Sequence, residues 1–381
     1  MCIRDRSNNM GSNEMKQDSY WIWLSRINGI GARKFLSIYE HFGNIEKVYS
    51  AKEIDFYGIS NINKRDINRI LKNKNLEETM EYIKKLKKQK VGFLLYKDNN
   101  YPTLLKEIYD PPAVLYYKGN MEIDEIAISI VGSRKASYYG LKMAKKLAYE
   151  LASLGVTIVS GMATGIDTYA HKGAIEAKGK TIAVLGCGVD VIYPIENSDL
   201  MKEIETKGLI LSEYPLTTLP KANNFPARNR IISGLSLGTI IIEAGEKSGS
   251  LITAEFALEQ GRNVYAIPGN IDSQTSKGTN NLIKEGAKVV TSVEDIIEDF
   301  IPYLTSGISS MDRKSEQNEK LKYKDLSEEE KEIIEKIKMG YTHGDEIIRA
   351  SNYPTSIVNS CLTMLELKGL IEKYKGDYYI K

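Results

Sequence analysis

The stretch Ile126–Asp167, IAISIVGSRKASYYGLKMAKKLAYELASLGVTIVSGMATGID, holds two short β-branched runs, each followed by a glycine turn, with an amphipathic stretch between them. Ile126–Val131 leads into Gly132-Ser133-Arg134, Leu141–Leu154 has helical spacing, and Val156–Ser160 leads into Gly161-Met162-Ala163-Thr164-Gly165-Ile166-Asp167. Strands that are apolar throughout, rather than at alternate positions, are those buried on both faces, and a helix between two of them makes their pairing parallel. The pattern continues downstream in Thr181–Leu185, Leu209–Ser212, Thr239–Glu243 and Asn263–Ile267, with Ala254–Gln260 among the helical segments. The expected fold class is α/β: a Rossmann-like doubly wound parallel sheet over residues 91–300.

Smaller blocks flank this sheet. Residues 1–19 are polar, lack the apolar core of a signal peptide and read as a disordered or non-native tail, with Met10 or Met15 as alternative starts. Residues 20–90 read as short helices around Gly29-Ile30-Gly31, a Gly-x-Gly turn resembling a helix-hairpin-helix, where glycines let a phosphate approach bare amides. A purely structural helical pair fits the same residues. Residues 301–325 read as a linker, rich in Ser, Lys, Glu and Asn. From 326 to 381 the pattern is three helices and a hairpin, a winged helix, with Ser327 and Glu330 as a capping box, Pro354 opening the third helix and Gly376 in the final turn.

Composition narrows the function. Of 381 residues 42% are apolar, enough for real cores, yet no apolar run approaches the roughly 18 of a membrane span. Cys2, Cys187 and Cys361 are scattered and form no CxxC pair, which points to a reducing cytoplasm and away from structural zinc. His41, His171 and His343 are equally dispersed, so neither metal nor cofactor is expected. Net charge is only +2, but residues 21–90 carry 15 Lys/Arg against 8 Asp/Glu, while 326–381 carry 8 against 10. Basic surface therefore concentrates toward the N-terminus. The run Lys84–Lys88 reads as a solvated helix face.

In an open parallel sheet, ligands bind where strand ends meet helix N-termini. Here nearly every strand is followed by a glycine-bearing loop, including Gly186-Cys187-Gly188-Val189-Asp190, Gly245-Glu246-Lys247-Ser248-Gly249-Ser250 and Pro268-Gly269-Asn270. Several such loops on one edge favour an anionic ligand. Arg134 leaves a strand end directly, placed either to pair with a phosphate and stack on a base or to form a loop-holding salt bridge. The segment from Lys221 to Ser236 combines Lys221, Asn224, Phe225, Arg228 and Arg230 at the start of a helix. A cationic track with a flat apolar platform is what single-stranded nucleic acid requires, and Phe225 is either that platform or a core residue. One of the two arginines is expected to cap a carboxylate. No Walker lysine, HExxH or Gly-x-Ser-x-Gly motif is present, and helix capping accounts for Asp167 and Asp190 as well as catalysis does.

Read together, VGSR (131–134), SGMATGID (160–167) with Ala170-His171, FPARNRIISGLS (225–236), Glu243-Ala244, SGSLIT (248–253) and Pro268-Gly269-Asn270 resemble the DprA/Smf family, with Tyr101-Pro102 and Asp110-Pro111-Pro112 upstream. The resemblance spans roughly Trp21 to Lys381. It implies a cytoplasmic, non-enzymatic homodimer that binds and protects single-stranded DNA during natural transformation and helps load RecA recombinase. Carried onto this chain, it implies DNA contacts at Arg134 first, then Lys221, Phe225, Arg228 and Arg230. Beside these stand Asn224 and the loop residues Gly132, Ser133, Gly161, Thr164, Gly165, Ser248, Gly249 and Ser250. The alternative is a phosphoribohydrolase-like nucleotide enzyme, whose PGGxGT loop is absent here. A transcription regulator acting through the winged helix is disfavoured by that region's charge.

Overall fold

The computed structural model describes residues 12–300 and 326–380, apart from 120–122, 124–125, 340, 342, 369, 375 and 376. Among the described residues the first α-helices are α1 (Ser12–Ser25), α2 (Ala32–Phe42), α3 (Ile45–Ser50), α4 (Lys64–Lys72) and α5 (Leu76–Lys88). The sheet follows as β1 (Gly92–Leu95), α6 (Thr103–Lys106), β2 (Val114–Gly119), β3 (Ala127–Val131), α7 (Tyr138–Ser153), β4 (Thr157–Ser160), α8 (Ile166–Glu176) and β5 (Thr181–Val184). It continues through α9 (Ser198–Lys207), β6 (Leu209–Ser212), α10 (Asn224–Gly234), β7 (Gly238–Ile241), α11 (Gly249–Glu259), β8 (Asn263–Ala266), α12 (Lys277–Lys284), β9 (Lys288–Val289) and α13 (Glu294–Ile297).

The strand order is β1-β2-β6-β5-β4-β3-β7-β8-β9. From β6 to β9 every pairing is parallel, and β3, β4, β5, β6 and β7 are buried along their whole length. The all-apolar runs thus occupy the positions covered by helices on both faces. The doubly wound expectation holds, with one addition: β1 and β2 join antiparallel beyond β6, making the sheet mixed.

Two boundaries need correction. The polar tail does not extend to residue 19, because α1 starts at Ser12, Asp18 and Ser19 are buried, and Asp18 takes an ion pair from Lys97 at 2.8 Å. Residues 1–11 and the linker at 301–325 lie outside the described residues. Nor do residues 20–90 stand apart. Their Trp21, Phe35 and Ile83 share one core with Met162, Leu185 and Leu216, and the Tyr82 hydroxyl accepts from the Leu216 amide at 2.8 Å. The chain divides into two compact units only at Phe300. In the hairpin, Gly29 has φ +91°, a left-handed backbone that by itself explains this glycine.

The second unit is α14 (Glu328–Lys338), α15 (Gly344–Ala350), α16 (Thr355–Leu367) and the hairpin β10 (Ile371–Tyr374) and β11 (Asp377–Ile380). Ser327 and Glu330 form the expected capping box, and Pro354 is the N-cap of α16. Helix-helix-helix-hairpin is the winged-helix order.

Candidate functional site

The topological switch point lies between β3 and β7, where successive connections leave in opposite directions. A carboxylate of the protein itself fills it. Buried Glu243 accepts from the Ser137 amide at 2.8 Å and the Ser137 hydroxyl at 2.5 Å, so the N-terminus of α7 already carries its anion. The Ser133 amide also donates to the Glu243 carbonyl at 2.7 Å. These bonds fix the loop from which Arg134 emerges. Gly165, with φ +81°, lets α8 start against that loop; a Cβ there would fall 2.3 Å from the Ser133 carbonyl.

The open cleft lies toward β4 and β5. Gly161 and Thr164 line it from the β4 loop, Gly186 and Cys187 from the β5 loop, and Phe225 from the first turn of α10. Two guanidinium groups lie close to the Phe225 ring, with Arg134 Cζ 5.5 Å and Arg228 Cζ 5.8 Å from its centroid. Cation–π attraction therefore helps to hold the ring in place. Its edge rests on Gly186, where a Cβ would lie 2.8 Å from Cδ1. Tyr193 completes the wall, its ring centroid 5.4 Å from that of Phe225 at 36°. Arg134 is exposed, Phe225 half-buried, and no described carboxylate pairs with Arg134.

Arg228 is buried and anchored. Its Nη1 donates to the Gly161 carbonyl at 2.8 Å and closely to the Val184 carbonyl, and Nε donates to Asn229 Oδ1 at 3.2 Å. Asp167 lies beneath, with Oδ2 accepting from the Ala163 amide at 3.2 Å. Burial pushes the Asp167 carboxyl up to about 6, against the pull of Arg228, and lowers the Arg228 guanidinium to about 10 despite Asp167. Both press on Gly161, where a Cβ would meet Arg228 Nη2 and Asp167 Oδ2 at 2.8 Å each. Arg228 thus shapes the floor and supplies positive potential, while the exposed charge is that of Arg134. Burial also raises the Cys187 thiol to about 11, which keeps it protonated at neutral pH.

Other expected site residues lie elsewhere. Helical phase turns Arg230 well away from Phe225 and Arg228. Its Nη2 reaches Glu213 Oε2 at 2.7 Å and its Nε reaches Asp110 Oδ2 at 2.8 Å, so it is the arginine that caps carboxylates, buried and paired outside the cleft. Asn224 Nδ2 donates to the Gly186 carbonyl at 3.0 Å, tying α10 to the β5 loop. Ser248 caps α11, Ser250 is buried, and Gly249 accepts from Asn229 at 3.2 Å; none of the three lines the cleft. Gly132, Ser133 and Gly165 serve through backbone geometry, and Lys221 is exposed in the turn before α10. Asp190 accepts from the Thr217 amide at 2.8 Å, a clamp between loops.

Tyr193 was not among the expected site residues. An aromatic-proline pair, Tyr193-Pro194, inside the long loop after β5 was the available signal. Among the described residues no cluster of His, Cys, Asp and Glu is arranged to hold a metal ion, and no helix is long and apolar enough to cross a membrane.

A mixed, mainly parallel sheet with an arginine-flanked aromatic cleft at its carboxyl edge, joined in sequence to a winged helix, defines a Rossmann-like α/β protein. Residues 92–301 match the family described as DNA recombination-mediator protein A, and residues 317–377 match the DprA winged helix domain. The chain belongs to the DprA/Smf family. It is 33% identical to Protein Smf of Synechocystis over 95% of this chain and 98% of that protein. To DNA processing protein DprA of Streptococcus pneumoniae it is 40% identical over 75% of this chain and 99% of the relative. The X-ray structure of the pneumococcal protein aligns with a TM-score of 0.66 at 39% identity, covering 74% of this chain and 97% of that one. A structure bearing on the single-stranded DNA binding mode of DNA processing protein A from Helicobacter pylori aligns with a TM-score of 0.51 at 33% identity, covering 56% and 96%.

Proposed function

We propose that this chain binds single-stranded DNA in the Phe225 cleft, protects the strand during DNA uptake and helps load RecA recombinase, acting as a homodimer in the cytoplasm without catalysis. The observation that carries the DNA-binding reading is the exposed Arg134 guanidinium 5.5 Å from the half-buried Phe225 ring. A phosphate on the free charge and a base on the aromatic face are the two contacts a single strand offers repeatedly. Family membership supports the recombination role. A nucleotide enzyme of the phosphoribohydrolase type is the weaker reading, since Glu243 occupies the anion position at α7 that a bound phosphate would take.

Arg134→Ala is expected to weaken binding of an oligothymidine by about 1–3 kcal/mol, the scale of a charge-assisted hydrogen bond, with an unchanged melting temperature. Affinity in the parent protein should fall steeply as salt rises, because the contacts are mainly to phosphates. Unchanged affinity in a folded Arg134→Ala protein overturns the assignment.

The winged unit is not the main grip in this reading. Its α16, TSIVNSCLTMLEL, carries no Lys or Arg for phosphates. A chain ending at residue 301 is expected to keep most of its single-strand affinity in a gel-shift titration; loss of binding with the fold intact would reverse this.

A further inference from the structure

Helix α7 starts four residues beyond Arg134, at the same carboxyl edge of the sheet, and carries a surface stripe that the cleft does not use. Tyr138, Lys142, Lys145 and Tyr149 are spaced by 4, 3 and 4 residues, which places them on one helical face. Tyr138 is 84% exposed and Tyr149 45% exposed, while the opposite face is buried through Ala144, Leu147, Ala148 and Leu151. Lys142 is exposed with no described carboxylate paired to it; Lys145 reaches Glu176 at 2.5 Å and is still 44% exposed. Lys135, also exposed, bridges the gap from Arg134.

Two exposed rings with cations between them form a stacking platform with a phosphate track. Glu243 occupies the N-terminus of α7, so any anion passing there must be held by Arg134, Lys135 and Lys142 rather than by helix amides. We propose that the strand leaving the Phe225 cleft at Arg134 continues along α7, with a base on Tyr138, phosphates on Lys142 and Lys145, and a later base at Tyr149. At about 1.5 Å per residue the rise from Tyr138 to Tyr149 gives this path a length of about 17 Å. The inference rests on the groove reading and enlarges the occluded strand beyond the cleft. Charge complementarity and continuity with Arg134 select a nucleic-acid strand over a protein partner.

The test compares oligothymidines of about 6 and about 25 nucleotides, one near the lower end and one beyond the upper end of common single-strand site sizes, on the full chain. Tyr138→Ala with Lys142→Ala should leave short-strand affinity within twofold and lower long-strand affinity at least tenfold. Lys142→Ala alone should reduce the long-strand salt slope by about 0.7, the value for one neutralised phosphate on a single strand. Tyr138→Trp supplies a direct readout, because Trp21 and Trp23 are each 3% exposed and shielded from a surface ligand. Its emission should be quenched by the long strand and unaffected by the short one. Equal losses at both lengths, no loss at either, or a DNA-independent change in oligomeric state with unchanged affinity overturns the proposal. Should Arg134→Ala bind both lengths normally, the cleft is misassigned, and the stripe is then judged on Tyr138→Ala with the long strand alone.

Discussion

Arg230→Ala is expected to destabilise the first unit by about 3–5 kcal/mol, the cost of removing one partner from a buried ionic cluster, and to lower its melting temperature by many degrees. Arg230 is 5% exposed and satisfies carboxylates on two separate segments, Asp110 before β2 and Glu213 after β6, while also donating to the Ala227 carbonyl at 3.0 Å. Burial alone would lower its pKa; Glu213 and Asp110 outweigh that and raise it. Without the guanidinium, two partly buried carboxylates face each other unpaired. Lysine is a poor substitute, since one ammonium cannot present the planar fork that spans both. Thermal denaturation of Arg230→Ala beside Arg134→Ala separates the two roles. The first should lose stability and the second only DNA, and a stable Arg230→Ala protein that fails to bind DNA would return Arg230 to the interface.

Acid should expose a second buried dependence. His171 on α8 is 0% exposed, and its Nδ1 lies 2.7 Å from Thr181 Oγ1. That hydroxyl already donates to the Ile158 carbonyl at 2.8 Å, so Nδ1–H donates to it and the ring is neutral. A second proton would sit on Nε2, a buried atom without a hydrogen-bond partner among the described residues. Burial, helped by Arg228, therefore holds the imidazole down at about 3, against 6.5 in an open chain. Below 6.5 the unfolded chain binds this proton and the folded chain does not. The stabilisation is complete above that value and is lost as pH falls toward 3, amounting to roughly 4 kcal/mol. Asp167 acts oppositely: its raised pKa of about 6 means the folded state takes up a proton first, stabilising it as pH falls from 6 toward 4. The two effects oppose each other near pH 5, and the His171 loss dominates below 4. Denaturant titrations from pH 7 to 3 should show a shallower decline for His171→Asn than for the parent, and parallel profiles would contradict the buried neutral ring.

The sheet was legible because burial on both faces leaves runs such as Ile128–Val131 without polar alternation. The edge pair β1 and β2 was not, since Gly92–Leu95 is four residues long and its antiparallel partner lies after an irregular stretch holding only α6. In the site, the glycine loops and Phe225 announced themselves by residue type, as did Arg134 by leaving a strand end. Separating Arg228 from Arg230 needed helical phase, which puts Arg228 beside Phe225 and turns Arg230 toward Asp110. Glu243 stood out only as part of a motif, and its role was not legible because its carboxylate works across 106 residues of chain, on Ser137. Tyr193 met Phe225 only through the fold of a long loop.

The central claim is that the Phe225 ring is a base platform rather than core filling. Because the ring abuts Gly186, tryptophan is too large a probe, and tyrosine and leucine make the informative pair. Oligothymidine affinity of Phe225→Leu and Phe225→Tyr at fixed salt, with melting temperatures alongside, decides the matter. Stacking predicts that leucine loses about 1–3 kcal/mol of binding at near-parental stability while tyrosine keeps most of it. Leucine binding as tightly as phenylalanine would contradict the claim.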